Sequence, residues 1–123
     1  MALLFAKSHE WLNDLGDGTA TIGISDFAQN ELGGLVFVNL PEPGDEVTVG
    51  DTFADVESVK AVSDIYSPVT ATVVEINEEL LDSPEMINDD PYGAWFVKVE
   101  NITEHGELMN EDEYAAFCET LEE

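Results

Sequence analysis

The sequence predicts a mainly β fold: a small β-sandwich or flattened barrel of two antiparallel sheets, with short helices and one C-terminal helix. Three observations carry the prediction. Short alternating polar and apolar runs recur at close spacing, glycine and proline fill the breaks between them, and helical periodicity shows only in brief stretches and at the C-terminus. With 123 residues and 44% apolar content, the chain can bury one modest core, so residues 1–123 read as a single domain.

The runs Glu10 to Leu15 and Thr19 to Ile24 flank Gly16-Asp17-Gly18, whose glycines admit a tight turn, and together they read as a hairpin. Asp26 is the expected cap of a short helix, with Gln29 three residues on. Ala28 and Leu32 would form its buried face and Gly33-Gly34 its end. Leu35 to Leu40 is a strand too apolar to face water on both sides, and Pro41-Glu42-Pro43-Gly44 is a turn.

Three compact strands follow, Glu46 to Val49, Thr52 to Ser58 and Ala61 to Tyr66, ended by Ser67-Pro68. Val69 to Ile76 alternates most clearly. Glu78 to Leu81 and Pro84 to Ile87 each read as a turn of helix, Asp90-Pro91-Tyr92-Gly93 as a loop, and Trp95 to Val99 as the last strand. Tyr114, Phe117, Cys118 and Leu121 then recur at helical spacing behind Asn110, with Glu113 placed to complete a capping box. Cys118 falls on the apolar stripe and reads as a small buried hydrophobe; Trp11, Trp95 and Phe96 read as core aromatics.

Charge excludes several functions. Lys7, Lys60 and Lys98 are the only basic residues besides two histidines, against 28 acids, and the formal net charge is -25. Such a surface repels phosphate backbones and anionic membranes, so neither nucleic acid nor a membrane is an expected partner. The acids are spread along the chain, which suits general solubility or a salty cytosol; steering toward basic partner surfaces is the functional reading. Met1 to Ala6 is too short for a signal sequence, no run reaches the length of a membrane span, and one cysteine cannot form an intrachain disulfide. A cytoplasmic location is expected. His9 and His105 lack the neighbours of a metal site, no nucleophile with a partner base can be argued, and a small enzyme using His9 and Glu10 as acid and base is disfavoured.

The unusual stretch is Glu57-Ser58-Val59-Lys60-Ala61-Val62-Ser63-Asp64. It places one of three lysines at the tip of a hairpin, between segments of similar length that fold about it. Val59 and Ala61 stand where an exposed turn prefers Gly, Asn or Asp. A rigidly presented amine flanked by apolar residues is a surface another protein can read, and Lys60 reads as a covalent attachment point.

From Glu57 through Val69 this hairpin resembles the lipoyl-attachment hairpin of the glycine cleavage system H protein family. Ser8-His9-Glu10-Trp11, Gly23 to Gln29, Leu35 to Pro41 and Pro84 to Gly93 resemble the family's other motifs in order, from about Ser8 to Phe117. The outlying motifs separate this family from the lipoyl domains of 2-oxoacid dehydrogenases. Biotin is disfavoured, since its lysine would be expected between methionines. The resemblance implies a barrel-sandwich hybrid carrying lipoate as an amide on Lys60, a carrier and not an enzyme. Its implied partners are a pyridoxal-phosphate glycine decarboxylase, a tetrahydrofolate-dependent aminomethyltransferase, a flavin-dependent dihydrolipoamide dehydrogenase and the lipoyl-attaching enzyme, with the carrier itself a monomer. It further implies Glu10 and Asp64 as contacts for the aminomethyl-loaded arm. Many relatives carry histidine where this chain has Phe27, which cannot hydrogen-bond an amine. An alternative within the resemblance is an H-like protein that relays lipoyl groups or serves as an interaction module without glycine cleavage.

Overall fold

A computed structural model describes residues 3–121. Two antiparallel sheets, both open at their edges, face each other. The first strand, β1 (Leu3–Ala6), pairs with β2 (Glu10–Asp14), which forms the expected hairpin with β3 (Thr19–Ile24). Gly16 and Gly18 take φ of 84° and 89° in the turn between them, where a side chain would be strained.

Helix α1 (Asp26–Leu32) follows, then β4 (Leu35–Asn39), β5 (Glu46–Val47), β6 (Thr52–Ser58), β7 (Val62–Tyr66) and β8 (Val69–Ile76). Two short helices, α2 (Glu79–Asp82) and α3 (Met86–Asp89), lead to β9 (Val97–His105), β10 (Leu108–Met109) and the C-terminal helix α4 (Glu111–Leu121). The seven-stranded sheet runs β10-β1-β2-β3-β9-β8-β5 and the three-stranded sheet β4-β6-β7. Pairing is nested about Lys60: β6 pairs with β7, and outside them β5 pairs with β8.

The core lies between the sheets. Ile22, Val56, Val69, Val97 and Val99 are fully buried there, as the alternation of their strands requires, together with Phe96 just before β9. A second cluster, Leu3, Phe5, Trp11 and Tyr114, docks α4 on the outer side of β1 and β2. Trp11 donates its indole N–H to the Pro91 carbonyl at 3.1 Å, closing the aromatic's polar end. Among the described residues no helix is long and apolar enough to cross a membrane.

Several expectations are corrected. The cap of α1 is Ser25, whose hydroxyl accepts the Ala28 N–H at 3.2 Å; Asp26 is the first helical residue and accepts from the Gln29 side chain instead. Serine wins because the residue with extended backbone is one position earlier. Leu3–Ala6, assigned no element from sequence, is a strand packed under α4. Ala61 belongs to the hairpin turn, Val49 makes only an isolated bridge to Ser67, and Trp95 precedes its strand and is half-buried. Strand β9 runs on to His105 through Asn101, whose φ of 54° marks the irregularity. Cys118 is half-buried, at the margin of the second cluster. The Asn110–Glu113 capping box forms as expected, with bonds of 2.8 and 3.1 Å. The Leu121 side chain lies outside the described residues.

Candidate functional site

Lys60 stands at the exposed tip of the β6–β7 hairpin. The tip is braced by Ser58, whose Oγ accepts the backbone N–H of Lys60 and of Ala61, each at 3.1 Å, while Ser58 N–H donates to the Ala61 carbonyl at 2.8 Å. Val59 N–H donates to the Gly34 carbonyl at 3.2 Å, anchoring the tip to the segment after α1. Val59 and Val62 are 76% and 64% exposed, so the lysine rises from an apolar surface.

The amine itself turns toward α1. Lys60 Nζ donates to the Glu31 carbonyl at 3.3 Å, in the last turn of the helix, where unpaired carbonyls favour a cation. Gly33, with φ of 80°, lets the stem pass: a Cβ there would lie 3.0 Å from Lys60 Cε. Asn88 of α3 fixes this corner by donating to the Gly33 carbonyl and the Gln29 side chain, both at 2.9 Å, and accepting from Leu35 N–H at 3.0 Å.

A groove of about 280 Å³ begins at Glu31 and Leu32 and runs between α1 and the free edge of β7. Its walls are Phe27 and Ala28 on one side, Ser63, Asp64 and Ile65 on the other, with Ser8 and His9 beyond. The groove therefore joins three segments that are distant in sequence, the β1–β2 turn, α1 and β7, to the corner where the Lys60 amine rests.

Of the sequence-predicted residues, Asp64 lies at the groove's rim. It is exposed, and the strand register sets it beside Asp55 on the outer face of the three-stranded sheet. Glu10 is 1% exposed and does not itself line the groove; its carboxylate accepts from Ser8 Oγ, which does, at 2.5 Å. Burial pushes its pKa up from 4.5 to about 7, against the Ser8 hydroxyl and the Tyr66 and Glu10 backbone amides, which favour the charged form. Such a carboxyl gains charge readily when a cation comes near.

Phe27, the position noted for lacking histidine, packs its ring 4.7 Å from that of His9. His9, read from sequence as structural or solvated, is on the groove wall. Its Nδ1 is 2.7 Å from the Tyr114 hydroxyl, and burial lowers its pKa, opposed by the nearby Glu31 carboxylate. No sequence signal ties His9 to Tyr114 or Asn88 to Gly33, since the pairs are joined only by the fold. Among the described residues no three His, Cys, Asp or Glu side chains converge as a metal site.

Fold and site together define a class: a small open β-sandwich that presents one exposed lysine on a braced hairpin beside a groove lined with carboxylates. Comparison with known proteins is specific. The family profile described as Glycine cleavage H-protein matches residues 3–121, and the chain belongs to that family of lipoyl-carrying proteins of glycine catabolism. The glycine cleavage system H protein of Lachnoclostridium phytofermentans is 58% identical over 115 residues, covering 94% of this chain and 91% of the relative. That of Vibrio campbellii is 58% identical over 120 residues, covering 95% of each. The probable H protein of Pyrococcus horikoshii is 54% identical over 122 residues, covering 97% and 91%. A crystal structure of the H protein from Mycobacterium marinum superposes with a TM-score of 0.87 at 39% identity, covering 93% of this chain and 94% of that one.

Proposed function

We propose that the chain is a single carrier domain bearing lipoate as an amide on Lys60, and that it shuttles the aminomethyl group of glycine within the glycine cleavage system. The observation that carries this reading is the placement of the Lys60 amine, exposed at a braced tip and resting on a carbonyl at the mouth of the groove. The residues fit the group. A lysine held by one weak contact is free for acylation, and a groove of about 280 Å³ with apolar and acidic walls can take an aliphatic arm with a cationic end.

When bound, the lipoyl dithiolane supplies the sulfur that takes up the aminomethyl group at the glycine decarboxylase and yields it to the aminomethyltransferase. This chain's residues position and shelter. Ser58 and Gly34 hold the tip in one geometry for the lipoyl-attaching enzyme, and Val59 and Val62 offer that enzyme an apolar contact. Ala28, Leu32 and Ile65 exclude water along the groove. Glu10 and Asp64 are the carboxylates for the cargo's ammonium. The chemistry belongs to the cofactor and to the decarboxylase, the aminomethyltransferase and the dihydrolipoamide dehydrogenase, and this chain acts as a carrier, not a catalyst. A charge of -25 disfavours self-association and suits a monomer acting in the cytoplasm.

Intact-mass analysis of protein from its native source, with peptide mapping, tests the attachment. A lipoyl increment on Lys60, absent from a Lys60→Arg variant, is expected. An unmodified Lys60 in lipoate-replete cells, or a biotinyl increment, overturns it. The shuttle is tested by reconstitution: lipoylated protein that fails to accept aminomethyl groups from the decarboxylase would refute it.

A further inference from the structure

His9 holds an unfavourable backbone conformation, φ 77°, and owes its place to neighbours on three elements. Its N–H donates to the Ala6 carbonyl and its carbonyl accepts the Ser25 N–H, both at 2.9 Å. Its ring is bounded by Phe27 of α1 at 4.7 Å and by Phe117 of α4 at 6.0 Å. The hydrogen bond to that ring comes from the far end of the sequence, the Tyr114 hydroxyl at 2.7 Å.

Tyr114 is well placed to hold it. The residue is 6% exposed, and its ring stacks on Phe5 with centroids 4.3 Å apart and planes within 5°. The same hydroxyl lies 2.5 Å from Ser25 Oγ, which caps α1 through Ala28 N–H. Ser25 Oγ accepts the Ala28 N–H, and the Tyr114 hydroxyl, which can donate one hydrogen bond and accept another, bridges Ser25 Oγ and His9 Nδ1. One phenol thus joins the C-terminal helix, the cap of α1 and the groove wall.

We infer that Tyr114 is a positioning residue: its hydroxyl fixes the His9 imidazole on the groove wall and makes α4 a working part of the groove. This rests on the reading that the groove receives the Lys60 arm. Docking of α4 needs only the ring of Tyr114, because the Phe5 stack and the burial of β1 do not involve the hydroxyl, which serves Ser25 and His9 instead. A phenylalanine at 114 would keep the stack and leave the His9 ring without its hydrogen bond.

The test uses Tyr114→Phe, with Phe5→Leu as a control that loosens the stack and keeps the hydroxyl. In the unlipoylated protein, nitrogen-15 NMR of the His9 ring is expected to show the Nδ1 resonance displaced in Tyr114→Phe, with loss of the His9–Phe27 cross-peak. Phe5→Leu should leave both signals in place. In the lipoylated protein, reaction of the dithiolane with a small water-soluble phosphine should be roughly fivefold faster in Tyr114→Phe, the factor that about 1 kcal/mol of lost hydrogen bonding supplies. Unchanged His9 signals would overturn the inference. Altered signals with unchanged phosphine reactivity would overturn its link to the arm, and the absence of lipoate from Lys60 would be seen separately by mass. Should Tyr114→Phe not fold, His9→Asn tolerates the left-handed backbone and removes the ring. It is expected to raise phosphine reactivity by a similar factor, and wild-type reactivity in it would refute the proposal.

Discussion

Replacing Glu10 by glutamine should make the protein more stable at neutral and alkaline pH. Glutamine keeps the volume and an oxygen that can accept from Ser8 Oγ, but removes the titrating group. In the unfolded chain Glu10 ionises near 4.5, and in the folded chain burial moves this to about 7. Between those values the folded state holds the proton more tightly, so raising the pH costs stability. The contribution is fully present below the unfolded value, is lost progressively as pH rises through the folded one, and levels off above it. At about 1.4 kcal/mol per pH unit, the rise corresponds to about 3 kcal/mol. The assay is urea denaturation of both proteins from pH 4 to 9 at fixed ionic strength, which holds the screening constant, while the titration of the other acids is common to both proteins. Subtracting the two curves isolates Glu10. The wild type is expected to fall behind the variant by about 3 kcal/mol across that range, mostly between pH 5 and 7.5. Parallel curves would refute the reasoning, because they would mean that the carboxyl ionises in the fold as easily as in the open chain.

Three further outcomes follow from the geometry. Gly23→Ala would set a Cβ 2.6 Å from the Trp11 ring, so a loss of about 2 kcal/mol in urea and a shift in tryptophan emission are expected. Ser58→Ala removes the acceptor for two turn N–H groups and should cost about 1 kcal/mol, with slower lipoate attachment in a mass-spectrometric time course; an unchanged rate would show that the tip needs no bracing. Asp64→Asn should leave the lipoyl mass intact and speed decay of the aminomethyl-loaded protein by roughly two- to fivefold, as suits one exposed carboxylate. Equal decay rates would remove Asp64 from the shelter.

Strands and turns were legible wherever burial of one face imposed a period of two, as in Val69–Ile76, where Val69, Ala71 and Val73 point inward. They were illegible where residue types do not alternate or both faces are exposed. Leu3–Ala6 is apolar at every position, so the exposure of Leu4 between buried Leu3 and Phe5 leaves no polar mark, and Glu100 to His105 continues a ladder with little to bury. Lys60 could be found because a lysine between Val59 and Ala61 breaks the usual chemistry of a turn. The groove could not, because Ser8, Phe27 and Ile65 meet only when the β1–β2 turn, α1 and β7 are assembled. The same holds for His9 and Tyr114, 105 residues apart, and for the burial of Glu10, which local pattern cannot distinguish from one more surface acid.

The contact between the Lys60 amine and the end of α1 bears on how the arm is set in motion. A cation at a helix C-terminus gains about 0.3–1 kcal/mol, enough to make the docked amine roughly two to five times as populated as the free one. In the proposed carrier, an attaching enzyme would meet a substrate that is parked but easily lifted. Acylation would turn the ammonium into an amide, take the formal charge from -25 to -26 and discard the attraction that held the stem down. The bond that loads the arm would also be the one that unmoors it.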